Sequence, residues 1–62
     1  MIINYLFTLD IIKYVVRGPG GVIWSEHRTK RAAKREAEKV NRICAGHKVF
    51  AVHSDGFVSG PY

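Results

Sequence analysis

Four residues, Gly18-Pro19-Gly20-Gly21, sit between two runs of β-prone residues and constrain what the first half of the chain can become. Glycine reaches positive φ without steric cost and proline presets a turn, so this segment reverses the chain. Before it, Ile12, Tyr14 and Val16 share one parity while Lys13, Val15 and Arg17 share the other. After it, Val22-Ile23-Trp24 resumes the pattern. A period of two on both sides of a reversal is a hairpin, expected over 11–17 and 21–25. Ile3, Tyr5, Phe7 and Leu9 also alternate, which predicts a further strand or arm over 2–9.

At Thr29 the period changes. Ala, Lys, Arg and Glu dominate from there to Cys44, and these four are strong helix formers. Thr29 is placed to accept a hydrogen bond from a free N–H of the first turn, and Gly46 to close the far end in a left-handed conformation. Ala33, Ala37, Val40 and Cys44 form one stripe, broadened by Ala32 and Ile43. Small side chains on that stripe predict a helix over 29–44 lying close against a sheet. Beyond it, Lys48, Phe50 and Val52 alternate with Val49, Ala51 and His53. Ser54-Asp55-Gly56 then makes a turn, and Phe57 to Gly60 returns, giving expected strands over 48–53 and 57–60.

The order strands, helix, strands specifies an α+β fold: one small antiparallel or mixed sheet with a single amphipathic helix on one face. At 62 residues the chain makes one domain, 1–62, that buries only ~60% of its unfolded surface. One helix covers one face of a sheet. The other is expected to expose some of Tyr5, Phe7, Tyr14, Trp24 and Phe57, and a second copy of the chain, forming a homodimer, is one way to cover it. The opening MIINYLFTLDII has no basic leader or small-residue cleavage site, and falls short of the ~20 residues that span a bilayer. A single cysteine builds no internal disulfide. These features lead to the expectation of a cytoplasmic protein with no membrane partner.

Charge is concentrated. Residues 27–48 carry eight of the ten Lys and Arg residues against Glu36 and Glu38. On a helical wheel Arg31, Arg35, Glu38 and Arg42 form one row, with Lys30, Lys34 and Asn41 beside it, opposite the alanine stripe. A solubilising face, with Glu38–Arg42 and Lys34–Glu38 pairs at i,i+4, is the plain reading. Such pairs contribute only ~0.2–0.5 kcal/mol each and do not account for so many gathered cations. The functional reading is polyanion binding: Lys and Arg bond phosphate oxygens and release counterions. The expected contacts are Lys30, Arg31, Lys34, Arg35 and Arg42, with Arg28 and Arg17 at the margins and Asn41 placed to reach a base edge. An acidic protein surface fits the same row.

Other constellations have duller readings. Cys44, His47, His53 and Asp55 spell C-x2-H-x5-H-x-D, all zinc-ligand types, but structural zinc sites use paired cysteines or a cysteine pair with a histidine pair. No metal or cofactor is expected. His53-Ser54-Asp55 holds the residue types of a nucleophilic triad in consecutive positions, which point to opposite sides of a strand. Gly18–Gly21 joins two strands and does not open a helix, so it is no phosphate loop. Catalysis is not expected.

The run YVVRGPGGVIWSEHRTKRAAKREAEKVNR, residues 14–42, resembles small accessory proteins encoded by bacteriophages, several of which set a Gly-rich hairpin ahead of a Lys/Arg/Ala/Glu helix. The resemblance implies a non-catalytic protein that binds and blocks host machinery in the host cytoplasm, with anti-CRISPR inhibitors as one such class. The element order is also similar to sheet-based DNA readers of the integrase-arm type, although here the cations sit mainly on the helix. Two expectations therefore stand side by side: a small basic protein engaging nucleic acid through its helix, and an inhibitor docking on a host protein.

Overall fold

Residues 10–62 are described by the computed structural model of the protein; the strand expected over 2–9 lies outside them. β1 (Ile11–Arg17) and β2 (Ile23–His27) form the expected hairpin, joined by a 3-10 turn at Pro19–Gly21. The turn closes through Gly18 N–H to the Val22 carbonyl at 2.8 Å and Gly21 N–H to the Gly18 carbonyl at 3.0 Å. Gly20 and Gly21 sit at φ +80° and +84°, values that only glycine adopts readily. They cannot also be extended. β2 therefore starts at Ile23 rather than 21, and it runs on to His27.

Pairing in the hairpin runs Tyr14 to His27, Val15 to Glu26 and Val16 to Ser25, then skips to Arg17 with Ile23. Trp24 is the extra residue of this bulge. A bulge breaks the strict alternation of faces and re-aims a side chain. Trp24 accordingly lies on the helix side, where its indole N–H donates to Glu36 Oε2 at 2.9 Å.

The helix, α1, spans Lys30–Asn41. Thr29 caps it as expected, its Oγ1 accepting from Ala32 N–H at 3.1 Å. The C-terminal end falls three residues short of position 44. Asn41 turns its side-chain amide onto the backbone of His47, with Oδ1 accepting at 2.8 Å and Nδ2 donating at 3.0 Å. That pair draws residues 42–47 into a loop, leaving Ile43 87% exposed and Cys44 exposed, so the buried stripe is Ala33, Ala37 and Val40 alone. Gly46 does take positive φ, +100°, but within this loop rather than as the residue that closes the helix. There a Cβ would lie 2.9 Å from Pro19 Cγ.

β3 (Lys48–His53) matches its expected bounds, and β4 is only Val58–Ser59. Phe57 belongs to the preceding turn, its N–H donating to Asp55 Oδ1 at 3.0 Å and its carbonyl accepting from His53 N–H at 2.8 Å. The four strands form one antiparallel sheet in the order β2-β1-β3-β4. Because β2 and β3 flank β1, α1 must cross over the sheet to connect them, and it packs on all three.

Under α1, Val16 and Val49 pair across β1 and β3 and meet Ala33, Ala37 and Val40, with Tyr14 at the margin. Alanines on the helix let its backbone approach the two valines closely. The core is correspondingly thin. The opposite face carries Lys13, Val15, Arg17, Ile23, Phe50, Val52 and Val58, so the expectation that Tyr14 and Trp24 would be exposed there is corrected. Tyr14 packs on the helix core and the bulge has turned Trp24 over. Phe57 is 61% exposed beside the His53 ring, whose strand parity places it on the helix side. Tyr5 and Phe7 lie outside the described residues.

Candidate functional site

The outward surface of α1 follows directly from its buried stripe. With Ala33, Ala37 and Val40 against the sheet, the 3.6-residue period places Arg31, Arg35 and Arg42 directly opposite. Lys30 and Lys34 fall on one flank; Lys39, absent from the expected contacts, falls on the other. All six are exposed. Twelve residues at 1.5 Å each give a cationic edge about 18 Å long. Lys30, Arg31, Lys34, Arg35 and Glu38 line a shallow depression of about 430 Å³ along it.

What matters for binding is whether these cations are already neutralised. Among the described residues the one ion pair is Lys13 Nζ to Glu26 Oε2 at 3.2 Å, on the opposite face of the sheet. Residues 1–9 contain no carboxylate side chain. Neither i,i+4 pair expected on the helix, Glu38–Arg42 or Lys34–Glu38, closes to ion-pair distance. Glu36 is held by the Trp24 indole. The helix therefore presents its positive charge to solvent with Glu38 as the only carboxylate in the row. Lys30 is the one member with a further contact, its Nζ lying 4.8 Å from the centroid of the Tyr62 ring.

The remaining expected contacts separate. Arg28 is exposed just ahead of α1 and, with Ile12, Lys13, Glu26 and His27, lines a small depression near that end. Arg17 is on the open sheet face, its guanidinium 5.2 Å from the centre of the Phe50 ring, and does not join the helix row. Asn41 is spent. Both ends of its amide hold the His47 backbone, so its role here is to fix a loop rather than to read a base.

Cys44, His47, His53 and Asp55 are likewise not brought together. The first two precede β3, while His53 is its last residue and Asp55 lies beyond it, so the two pairs are about 17 Å apart along a six-residue strand. His47 Nδ1 lies 2.8 Å from the Cys44 carbonyl oxygen, and the ring meets Trp24 edge-on at 5.5 Å. Asp55 caps the β3–β4 turn. Among the described residues no three His, Cys, Asp or Glu side chains cluster in a way that could hold a metal ion. Ser54 and Asp55 form a turn, as their order suggested.

Two features escaped the sequence reading. His53 Nε2, Ser59 Oγ and Tyr62 Oη form a chain of hydrogen bonds at 2.9 and 2.8 Å. The Tyr62 N–H also donates to the Val49 carbonyl at 2.8 Å, so the tail is pinned along β3 beside the helix. The second feature is the groove between that tail and α1, which residues of the helix, β3 and the tail line together; Lys48 pairs with Arg17, so its side chain belongs to the open sheet face. No signal within either segment could have joined residues so far apart in the chain. No helix among the described residues is long and apolar enough to cross a membrane. No protein-family model, curated protein or solved structure matches the chain.

Proposed function

We propose that this is a small, non-catalytic, basic protein that binds nucleic acid phosphates through the outer face of α1. The observation that carries the reading is the row of six exposed helix cations with no carboxylate partner among the described residues. Had solubility alone shaped this surface, interspersed carboxylates would have relieved the repulsion between Arg31 and Arg35, which costs ~0.2–0.5 kcal/mol at i,i+4 spacing. Contacts of this kind go to phosphates, so binding is tolerant of sequence and sensitive to salt. Six phosphate contacts predict a slope of log K against log salt of about −5 on duplex DNA, or on the order of a thousand-fold loss between 50 and 200 mM. A titration at several salt concentrations tests this; no retention of duplex or single strands at low salt sinks it.

A second reading is favoured by the open sheet face, where Ile23 is 55% and Val58 40% exposed around a depression of about 300 Å³. In that reading the protein is an inhibitor of the bacteriophage type, working in a host cytoplasm. It blocks a host complex either through this face or by laying the helix on an acidic protein surface. The same face would alternatively join two copies as a homodimer. Pull-down from nuclease-treated host lysate, with light scattering of the purified protein, separates these. A stoichiometric protein partner that survives nuclease favours the inhibitor; loss of all partners favours the nucleic-acid reading.

A further inference from the structure

We infer that the open face of the sheet docks an acidic protein segment, one that seats an aliphatic side chain on the strands and sets a carboxylate between Arg17 and Lys48. The inference rests on the reading of that face as a docking surface and names the chemistry of its partner. The face holds a depression of about 300 Å³ walled by Lys13, Val15, Arg17, Ile23, Val52 and Val58. Four of these six are aliphatic, and Ile23 and Val58 remain 55% and 40% exposed. That volume, at the lower limit of small-ligand pockets, accommodates an aliphatic side chain.

Charge on the face is unbalanced at one end. Lys13 is neutralised by Glu26 at 3.2 Å. Arg17, about 13 Å further along β1, stands directly opposite Lys48 of β3. Like charges in that position destabilise a sheet, and neither of these two forms an ion pair among the described residues. The Arg17 guanidinium is also held in place. It lies over the Phe50 ring, 5.2 Å from its centre, and beside Gly21, where a Cβ would sit 3.4 Å from Nη2. A guanidinium over a ring keeps its in-plane N–H donors for an acceptor. A carboxylate arriving here meets one pre-set fork and one flexible ammonium group.

Charge and apolar surface together select the occupant. The face carries Lys13, Arg17 and Lys48 against Glu26, so a second copy laid on it would set surplus cations against surplus cations. Nucleic acid phosphates would satisfy Arg17 and Lys48 but gain nothing from the aliphatic walls. A protein segment with Asp or Glu close to Leu, Ile or Val satisfies both. Its carboxylate relieves the repulsion between Arg17 and Lys48, and its aliphatic side chain removes apolar surface from water. The apolar contact supplies affinity and the charges fix the orientation of the segment.

The experiment selects a displayed library of random peptides on the immobilised wild-type chain, then titrates the enriched peptide, made synthetically, while backbone amide NMR shifts are followed. Enriched peptides should carry Asp or Glu near an aliphatic residue and should shift amides of β1 and β3 around Val15, Arg17 and Val52. Losing two exposed charge contacts should weaken that peptide about two- to thirty-fold in Arg17→Gln/Lys48→Gln, with a smaller loss for duplex DNA at the same salt concentration. Lys48→Glu sets a carboxylate opposite Arg17, so it should raise the thermal midpoint while weakening the peptide. Lys48 is exposed, and this variant decides the matter if the double variant does not fold. Uncharged aliphatic peptides that bind this face equally well in all three proteins overturn the inference but leave the face a docking surface. Peptides that shift only α1 amides, or no enrichment at all, remove the docking reading as well. A duplex loss as large as the peptide loss assigns the face to nucleic acid, and a light-scattering dimer that Val58→Glu returns to monomer assigns it to a second copy. Either result overturns the inference.

Discussion

Asn41 separates two accounts of the same residue. As a base reader its amide would point away from the chain; as a clamp it holds the loop that carries His47 and positions Lys48. Replacing it with alanine removes hydrogen bonds of 2.8 and 3.0 Å to the part-buried His47 backbone. Each is worth ~0.5–1.5 kcal/mol net, so Asn41→Ala should cost about 1–3 kcal/mol, less a few tenths returned by alanine's higher helix propensity. A domain of 62 residues is stable by only about 3–9 kcal/mol, so the loss is a large part of the total. Urea denaturation followed by far-UV circular dichroism should show a lower midpoint with an unchanged slope. Binding to a panel of oligonucleotides should keep its order of preference among sequences. An unchanged midpoint together with an altered preference at adenine would refute the clamp and restore the base contact.

Three further outcomes test the scaffold that aims the helix. Val16 is fully buried against Val49 and the helix alanines, so Val16→Ala should destabilise by roughly 2–4 kcal/mol in the same denaturation assay. Ala37→Leu forces added methylenes between α1 and the sheet and should cost about 1–3 kcal/mol; a neutral or stabilising result would mean the helix is not packed closely there. Thr29→Ala removes the cap on Ala32 N–H and should cost about 1 kcal/mol, while Thr29→Ser should cost little.

The sequence was most informative where one local rule acted alone. Alternation placed β1 and β3 at their observed bounds, and the hydroxyl of Thr29 marked the start of α1. Errors arose where a distant partner or a special backbone conformation overrode the pattern. Ile43 and Cys44 prolong the apolar stripe, yet the Asn41 side chain recruits His47 and ends the helix first. Gly20 and Gly21 are needed at positive φ, which displaces the start of β2. Trp24 inverts its face because a bulge adds one residue, and a period of two cannot register that. For the site, the helix row was legible because its orientation depends on the small buried stripe alone. The groove beside the tail was not, since α1, β3 and the C-terminal tail assemble it from distant parts of the chain.

The central claim is that the outward helix arginines supply the binding charge. The most direct measurement is the salt dependence of duplex affinity for the wild-type chain and for Arg31→Gln/Arg35→Gln/Arg42→Gln. All three positions are exposed and form no ion pair among the described residues, so the variant should fold with stability changed by no more than about 0.5 kcal/mol per site. Losing three phosphate contacts should reduce the steepness of the log–log slope by about 2.7, from about −5 to about −3. The same slope for both proteins, with binding retained, would show that the charge on this face is not what the ligand meets.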